Sequence, residues 1–275
     1  FFKKIRPLQS GPEKIFYSPL AGGSFYVRFF DLYEFWISPN GRFVFYLKLK
    51  PVVRRKSTFR FPYNFLQTNV LSFCLLKLGF ETIHGSAVAI NEKAVALIGE
   101  STYGKSSLAA SFLFQGFPLL SDDLLAARKK KSGFTIHPGT PQIKLFPQVA
   151  GRFFRGRSGV RMTPAATKRV FSLRQREYYS KPAQIKAIYL LCPQSKKPPD
   201  KKIEIRKLPF RQAVIELIRS SHNLVVQDPT RLKKQLVLMS KIAKKIPVRA
   251  VLYPFNARRI PELQKRILSN FLKMR

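Results

Sequence analysis

The stretch GESTYGKS (99–106) constrains this chain more than any other. It matches G-x-x-x-x-G-K-[ST], follows the apolar run AVALIG (94–99) and opens a segment that Gly116 ends. Glycine at 99 and 104 permits the positive φ values that turn backbone N–H groups toward one point. A helix starting at Lys105 adds unpaired N–H donors and partial positive charge at that point. The pattern therefore predicts strand, loop and helix, with the helix running from about Lys105 to Gln115. The loop has the chemistry of a phosphate cradle, built from Gly99, Ser101, Thr102, Tyr103, Gly104, Lys105, Ser106 and Ser107. Lys105 is placed to reach the β- and γ-phosphates of a bound nucleotide, and the Ser106 hydroxyl to bind Mg²⁺ beside them.

Two acids follow the helix. The chain carries 14 acidic residues against 51 basic ones, a formal charge of +37. Even so, Asp122 and Asp123 stand side by side at the end of FPLLSDD (117–123). One carboxylate beside a phosphate loop commonly holds Mg²⁺, and a second accepts a proton from an attacking hydroxyl. Strand-end capping is the competing use of such acids. Successive strand residues face opposite ways, so both reach one site only if the strand ends there. His84 begins the strand GSAVAI (85–90), which a short turn at 91–93 joins to the loop's own strand. Beside a carboxylate, a histidine is expected to be charged and to orient the acid. His137 and His222 belong to no constellation in the sequence and read as structural.

The rest of the chain frames this core. Apolar residues make up 45% and aromatics 13%, enough for a packed globule of one large or two small domains. Residues 1–63 read as a β-rich N-terminal part, with SFYVRFF, YEFWIS and RFVFYLKL as strands. Residues 64–275 read as one α/β domain that begins with a helix over 64–78, capped by Asn64 and stopped by Gly79. Residues 150–183 are rich in Arg, Gly and Ser with few periodic apolars, and part of this stretch is expected to be a mobile loop. IKAIYLLCP (185–193), KIEIRKL (202–208) and VRAVLYP (248–254) predict strands. Residues 209–219, 229–245 and the C-terminal segment predict helices. Cys74 and Cys192 are too few and too far apart for a disulfide framework, and no apolar run reaches membrane-spanning length, so a cytoplasmic location is expected.

At this point the residues resemble a family. IHGSAVAINEKAVALIGESTYGKSSLAASFLFQGFPLLSDD (83–123) looks like the catalytic core of the bacterial HPr kinase/phosphorylase family. His84, Gly99, Ser101, Gly104, Lys105, Ser106, Gly116, Asp122 and Asp123 carry the likeness over about 40 residues. HPGTPQIKLFP (137–147) and TKRVFSL (167–173) extend it more loosely. The resemblance implies an α/β P-loop domain of the type shared with phosphoenolpyruvate carboxykinase. It implies ATP with Mg²⁺ as donor and a serine or threonine hydroxyl of a peptide or protein as acceptor. By position, Asp123 accepts the proton with support from His84, Ser106 and Asp122 bind Mg²⁺, and Lys105 binds the phosphates. Homo-oligomers are also implied. The chain departs from the family at Thr102, where glycine is usual, and in lacking its C-terminal glycine-rich signature. It also departs over its first 80 residues, which argues against HPr itself as the substrate.

Lys168 and Arg169 are a candidate positive charge for the transferred phosphoryl group. Two other readings stay open: a small-molecule kinase, for instance of free serine, on the same core, and a non-catalytic nucleotide- or polyanion-binding regulator. The charge of +37 calls for partners of opposite sign, either a polyanion or an anionic membrane surface.

Overall fold

The computed structural model describes residues 15–29, 33–48, 66, 70–161, 167–194, 202–222 and 229–274. The chain forms two compact units that divide after Phe80. In the first, β1 (Ile15–Pro19), β2 (Phe25–Phe29), β3 (Tyr33–Ile37) and β4 (Val44–Lys48) make an antiparallel sheet in chain order. Val27, Phe35 and Ile37 alternate onto one face, where Phe73 and Cys74 of α1 (Leu71–Lys77) cover them. The Tyr17 and Phe73 rings stack at 5.4 Å. Helix α1 thus belongs to the first unit's core, and the compact division lies beyond the boundary at 63/64 expected from sequence. The start of the expected helix, with its Asn64 cap, lies outside the described residues.

The second unit is mixed α/β around a seven-stranded sheet. Its elements begin β5 (Glu81–Ile90), β6 (Lys93–Ile98), α2 (Lys105–Phe114), β7 (Leu119–Lys130), β8 (Gly133–His137), β9 (Gln142–Leu145), α3 (Pro147–Phe153), β10 (Val160–Arg161) and β11 (Arg169–Ser172). They continue β12 (Ala183–Gln194), β13 (Glu204–Lys207), α4 (Phe210–Arg219), α5 (Pro229–Lys245), β14 (Val248–Pro254) and α6 (Ile260–Leu272). The strand order is β13-β14-β12-β6-β5-β7-β8, and β8 also pairs back onto β12 through Ile136 and Thr135. β12 runs parallel to β6 and β14; the other neighbours in the order are antiparallel.

Strand β6 shows why this sheet is apolar on both faces. Val95 and Leu97 point to a core with Leu108 and Phe112 of α2 and Ile267 of α6. Ala94, Ala96 and Ile98 point to a second core with Leu217 of α4 and Ile242 of α5. A strand covered on both sides reads as a continuous apolar run, as AVALI does. Each fully buried Val or Leu there contributes about 1.5–3 kcal/mol.

One element differs from the sequence reading: strand β7 does not end at the paired aspartates but continues to Lys130. Within 150–183, β10 and β11 pair antiparallel, and β11 pairs in turn with β9, which precedes that segment. Among the described residues, no helix is long and apolar enough to cross a membrane.

Gly85 faces Asp123 across the β5–β7 pair. A Cβ there would lie 2.7 Å from the Leu97 carbonyl oxygen and 2.9 Å from Leu125 Cδ1. Gly85→Ala is therefore expected to cost about 1–3 kcal/mol of stability, read from thermal or urea unfolding. A variant as stable as the parent would show that the backbone yields without cost.

Candidate functional site

The glycine loop joins β6 to α2. Gly99 has φ +134°, Thr102 +69° and Gly104 +82°. Thr102, the departure from glycine noted above, sits in the left-handed region that glycine occupies most easily. A Cβ on Gly99 would stand 3.0 Å from the Leu191 carbonyl oxygen, so β12 also presses the loop toward glycine. Lys105 Nζ donates to the carbonyls of Gly99 at 2.8 Å and Glu100 at 2.7 Å, while the Tyr253 hydroxyl donates to the Tyr103 carbonyl. The loop is thus closed on itself by an ammonium and pinned from β14.

Asp122 collects donors. Ser86 Oγ donates to its Oδ1 at 2.6 Å and Ser106 Oγ to the same oxygen at 2.9 Å. The backbone N–H of Lys144 donates to Oδ2 at 3.0 Å. Burial, then the neighbouring Asp123 charge, push the Asp122 carboxyl above its ordinary range, while these hydrogen bonds pull it down.

The strand continues past Asp123, whose φ is +70°. Both acids nevertheless reach Lys144, Asp122 through its backbone N–H and Asp123 through its Nζ. This corrects the expectation that convergence needs the strand to end. The Asp123 carboxylate takes a hydrogen bond from Lys144 Nζ at 2.6 Å, with side chains only 20% and 10% exposed. Burial pushes Asp123 up, but Lys144, with His84 and Lys168 adding to it, holds the carboxyl below its ordinary range. Two adjacent carboxyls are thus driven apart, one up and one down.

His84 behaves differently from the sequence reading. It meets the Asp123 main-chain carbonyl, through Nδ1 at 3.2 Å, and His222 meets the same oxygen through Nε2 at 2.8 Å. A carbonyl only accepts, so both ring nitrogens carry hydrogen, and the rings meet edge to face at 5.1 Å. Burial, then the charges of Lys105 and His222, push His84 down to about 4; burial lowers His222 as well. His84 is therefore neutral at pH 7, a correction to the charged form expected.

Because the unfolded chain takes up a proton near pH 6.5 that native His84 refuses, stability contributed by this group is present above 6.5. It falls as pH drops toward about 4. About 2 kcal/mol should be lost by pH 5 on this account. His84→Asn should flatten that part of the profile in urea unfolding at pH 7 and pH 5. An unchanged slope would clear His84 of the effect.

A cavity of about 710 Å³ opens over these groups. Lys105, Ser106, Asp123 and Lys144 line one part, and Phe146, Tyr253, Phe255 and Ile260 are among the rest. Lys168 also lines it and lies 5.2 Å from the Phe146 ring centre. Arg169, on β11, is not part of that lining. Burial, with Lys168 adding, lowers Lys105 to about 8 against the pull of the aspartates. Three contributors escaped the sequence reading. Lys144 carried one signal, a lysine inside the short apolar strand QIKL. Ser86 and His222 carried none.

No family model matches the chain, and no curated protein matches it. Among solved structures it is similar to the HPr(Ser) kinase/phosphatase from Coxiella burnetii. Identity is 14%, over 70% of this chain and 98% of that one, with a TM-score of 0.37. Likeness at that level carries no functional argument.

Proposed function

We propose that this chain is a Mg-ATP-dependent kinase that transfers the γ-phosphoryl group to a serine or threonine hydroxyl of a peptide or protein. The observation that carries it is the Ser106–Asp122 hydrogen bond at the start of α2, next to Lys105 and the Asp123–Lys144 pair. A hydroxyl and a carboxylate converging on one point, with phosphates to complete the shell, suit Mg²⁺. Among the described residues there is no cluster of three or more acidic, His or Cys ligands for an all-protein cage. Bound at Ser106 and Asp122, Mg²⁺ would neutralise charge on the phosphates.

The protein's own groups do the remaining work. Backbone N–H groups of the loop and the N-terminus of α2 hold phosphate oxygens. Lys105 neutralises charge on them, and Lys168 adds a second cation in the same cavity. Tyr253 and Phe255 supply faces for a purine ring, and 710 Å³ is of nucleotide size. Asp123, ionised at neutral pH, takes the proton of the attacking hydroxyl. Lys144 holds that carboxylate in place, and the two neutral histidines fix the backbone from which it projects.

The test is incubation of the full chain with ATP labelled on its γ-phosphate, Mg²⁺ and a panel of serine and threonine peptides and proteins. Label should appear on a hydroxyl and vanish with EDTA. ATP that neither binds nor passes label to any hydroxyl overturns the reading.

A further inference from the structure

A second cavity, of about 630 Å³, shares His84 and Ser101 with the first. Its other walls are the glycine loop at Gly99, Glu100 and Tyr103, the end of β12, and α4 with the residues after it. The two cavities meet at His84, whose ring is bonded to the main chain of Asp123. In-line phosphoryl transfer needs the acceptor oxygen on the far side of phosphorus from the leaving oxygen, so the acceptor requires an approach separate from the nucleotide's. The second cavity supplies one that adjoins, across His84 and Ser101, the first cavity, which Asp123 lines.

Its chemistry narrows the acceptor. The chain has 14 acidic residues, and two of them, Glu100 and Glu216, line this one cavity. Glu216 projects from α4 with its side chain 18% exposed. Its partner Arg219, at 3.0 Å, is 72% exposed and swings into solvent at little cost. Glu216 thus sits in the wall with an exchangeable cation on it. Gln212, Ser220 and Ser221 add neutral hydrogen-bonding groups around it.

We propose that the acceptor enters through this cavity and bears a cationic group near its hydroxyl, which Glu216 receives in place of Arg219. This rests on the kinase reading. The hydroxyl oxygen forms the new bond to the γ-phosphorus, the bond from that phosphorus to the ADP oxygen breaks, and the hydroxyl proton passes to Asp123. A small amino alcohol and a basic peptide share this chemistry.

The experiment measures label transfer from ATP to four probes. They are ethanolamine, its uncharged counterpart propan-1-ol, a serine peptide with flanking lysines, and the same peptide with norleucines. The cationic member of a pair should be favoured in kcat/KM by about tenfold or more, and the pair that reacts identifies the source. Glu216→Gln should erase that preference, mainly by raising KM. Gln212→Trp, which fills the cavity, should cut transfer at least about tenfold while ATP affinity, measured separately, stays within about threefold. Label passing equally to charged and uncharged members overturns the proposal and leaves the kinase reading standing. So does a preference that survives Glu216→Gln, or transfer undiminished by Gln212→Trp. ATP that does not bind at all overturns both.

Discussion

Asp123→Asn is expected to lower phosphoryl transfer by about 10²–10⁴-fold while ATP affinity stays within about threefold. Asparagine keeps the volume and is at ease at the left-handed φ of +70° that this position needs. What it loses is the basicity that takes the hydroxyl proton and the charge that pairs with Lys144. The two losses separate by experiment. Lys144→Met removes the partner but keeps the carboxylate. It should lower transfer less than Asp123→Asn, and the pH at which activity is lost on acidification should rise, since Lys144 is the largest force holding the Asp123 carboxyl low. Transfer by Asp123→Asn within about tenfold of the parent would remove Asp123 from the role of base.

The largest effect on stability is expected at the start of β5. Glu81 accepts from Arg231 at 2.8 Å and from Gln235 at 3.1 Å, both on α5. The ion-paired side chains are 8% and 12% exposed. Burial pushes the Glu81 carboxyl up, and Arg231 is the main force opposing it. Arg231→Ala leaves a buried carboxylate without its cation and should cost about 3–5 kcal/mol in urea unfolding. Replacing Glu81 and Arg231 together by leucine should recover most of that loss, because the desolvation of both charges disappears with them. If Arg231→Ala costs under about 1 kcal/mol, water reaches the pair.

Legibility in the sequence followed locality. The loop, its helix, the β5–β6 hairpin and the two aspartates all lie within residues 81–123, and their order alone announced them. Strand β7 misled because its signal is interrupted: two acids look like an end, and only the pairing of the residues after them with β5 and β8 shows that the strand continues. Lys144, Ser86 and His222 are set by pairing. Ser86 faces Asp122 only through the β5–β7 register, and Lys144 reaches the aspartates through the placement of β9. His222 comes from 99 positions away, by way of a backbone bridge between Ile83 and Ser221. The sign of the His84 shift was equally out of reach, since it depends on burial and on Lys105 as a neighbour.

The return of β8 onto β12 makes β12, β6, β5, β7 and β8 a closed circuit at one end. In an open sheet, one strand slides past its neighbour at the expense of a single ladder. In a circuit the offsets must sum to a fixed value, so a slip at one seam demands a matching slip at another. Asp122 and Asp123 ride on β7, Ser86 and His84 on β5, and the glycine loop on the end of β6. Their spacing is therefore held by a condition on the whole ring, and loosening the distant Ile136–Ala183 seam should disturb the aspartates without touching any residue near them.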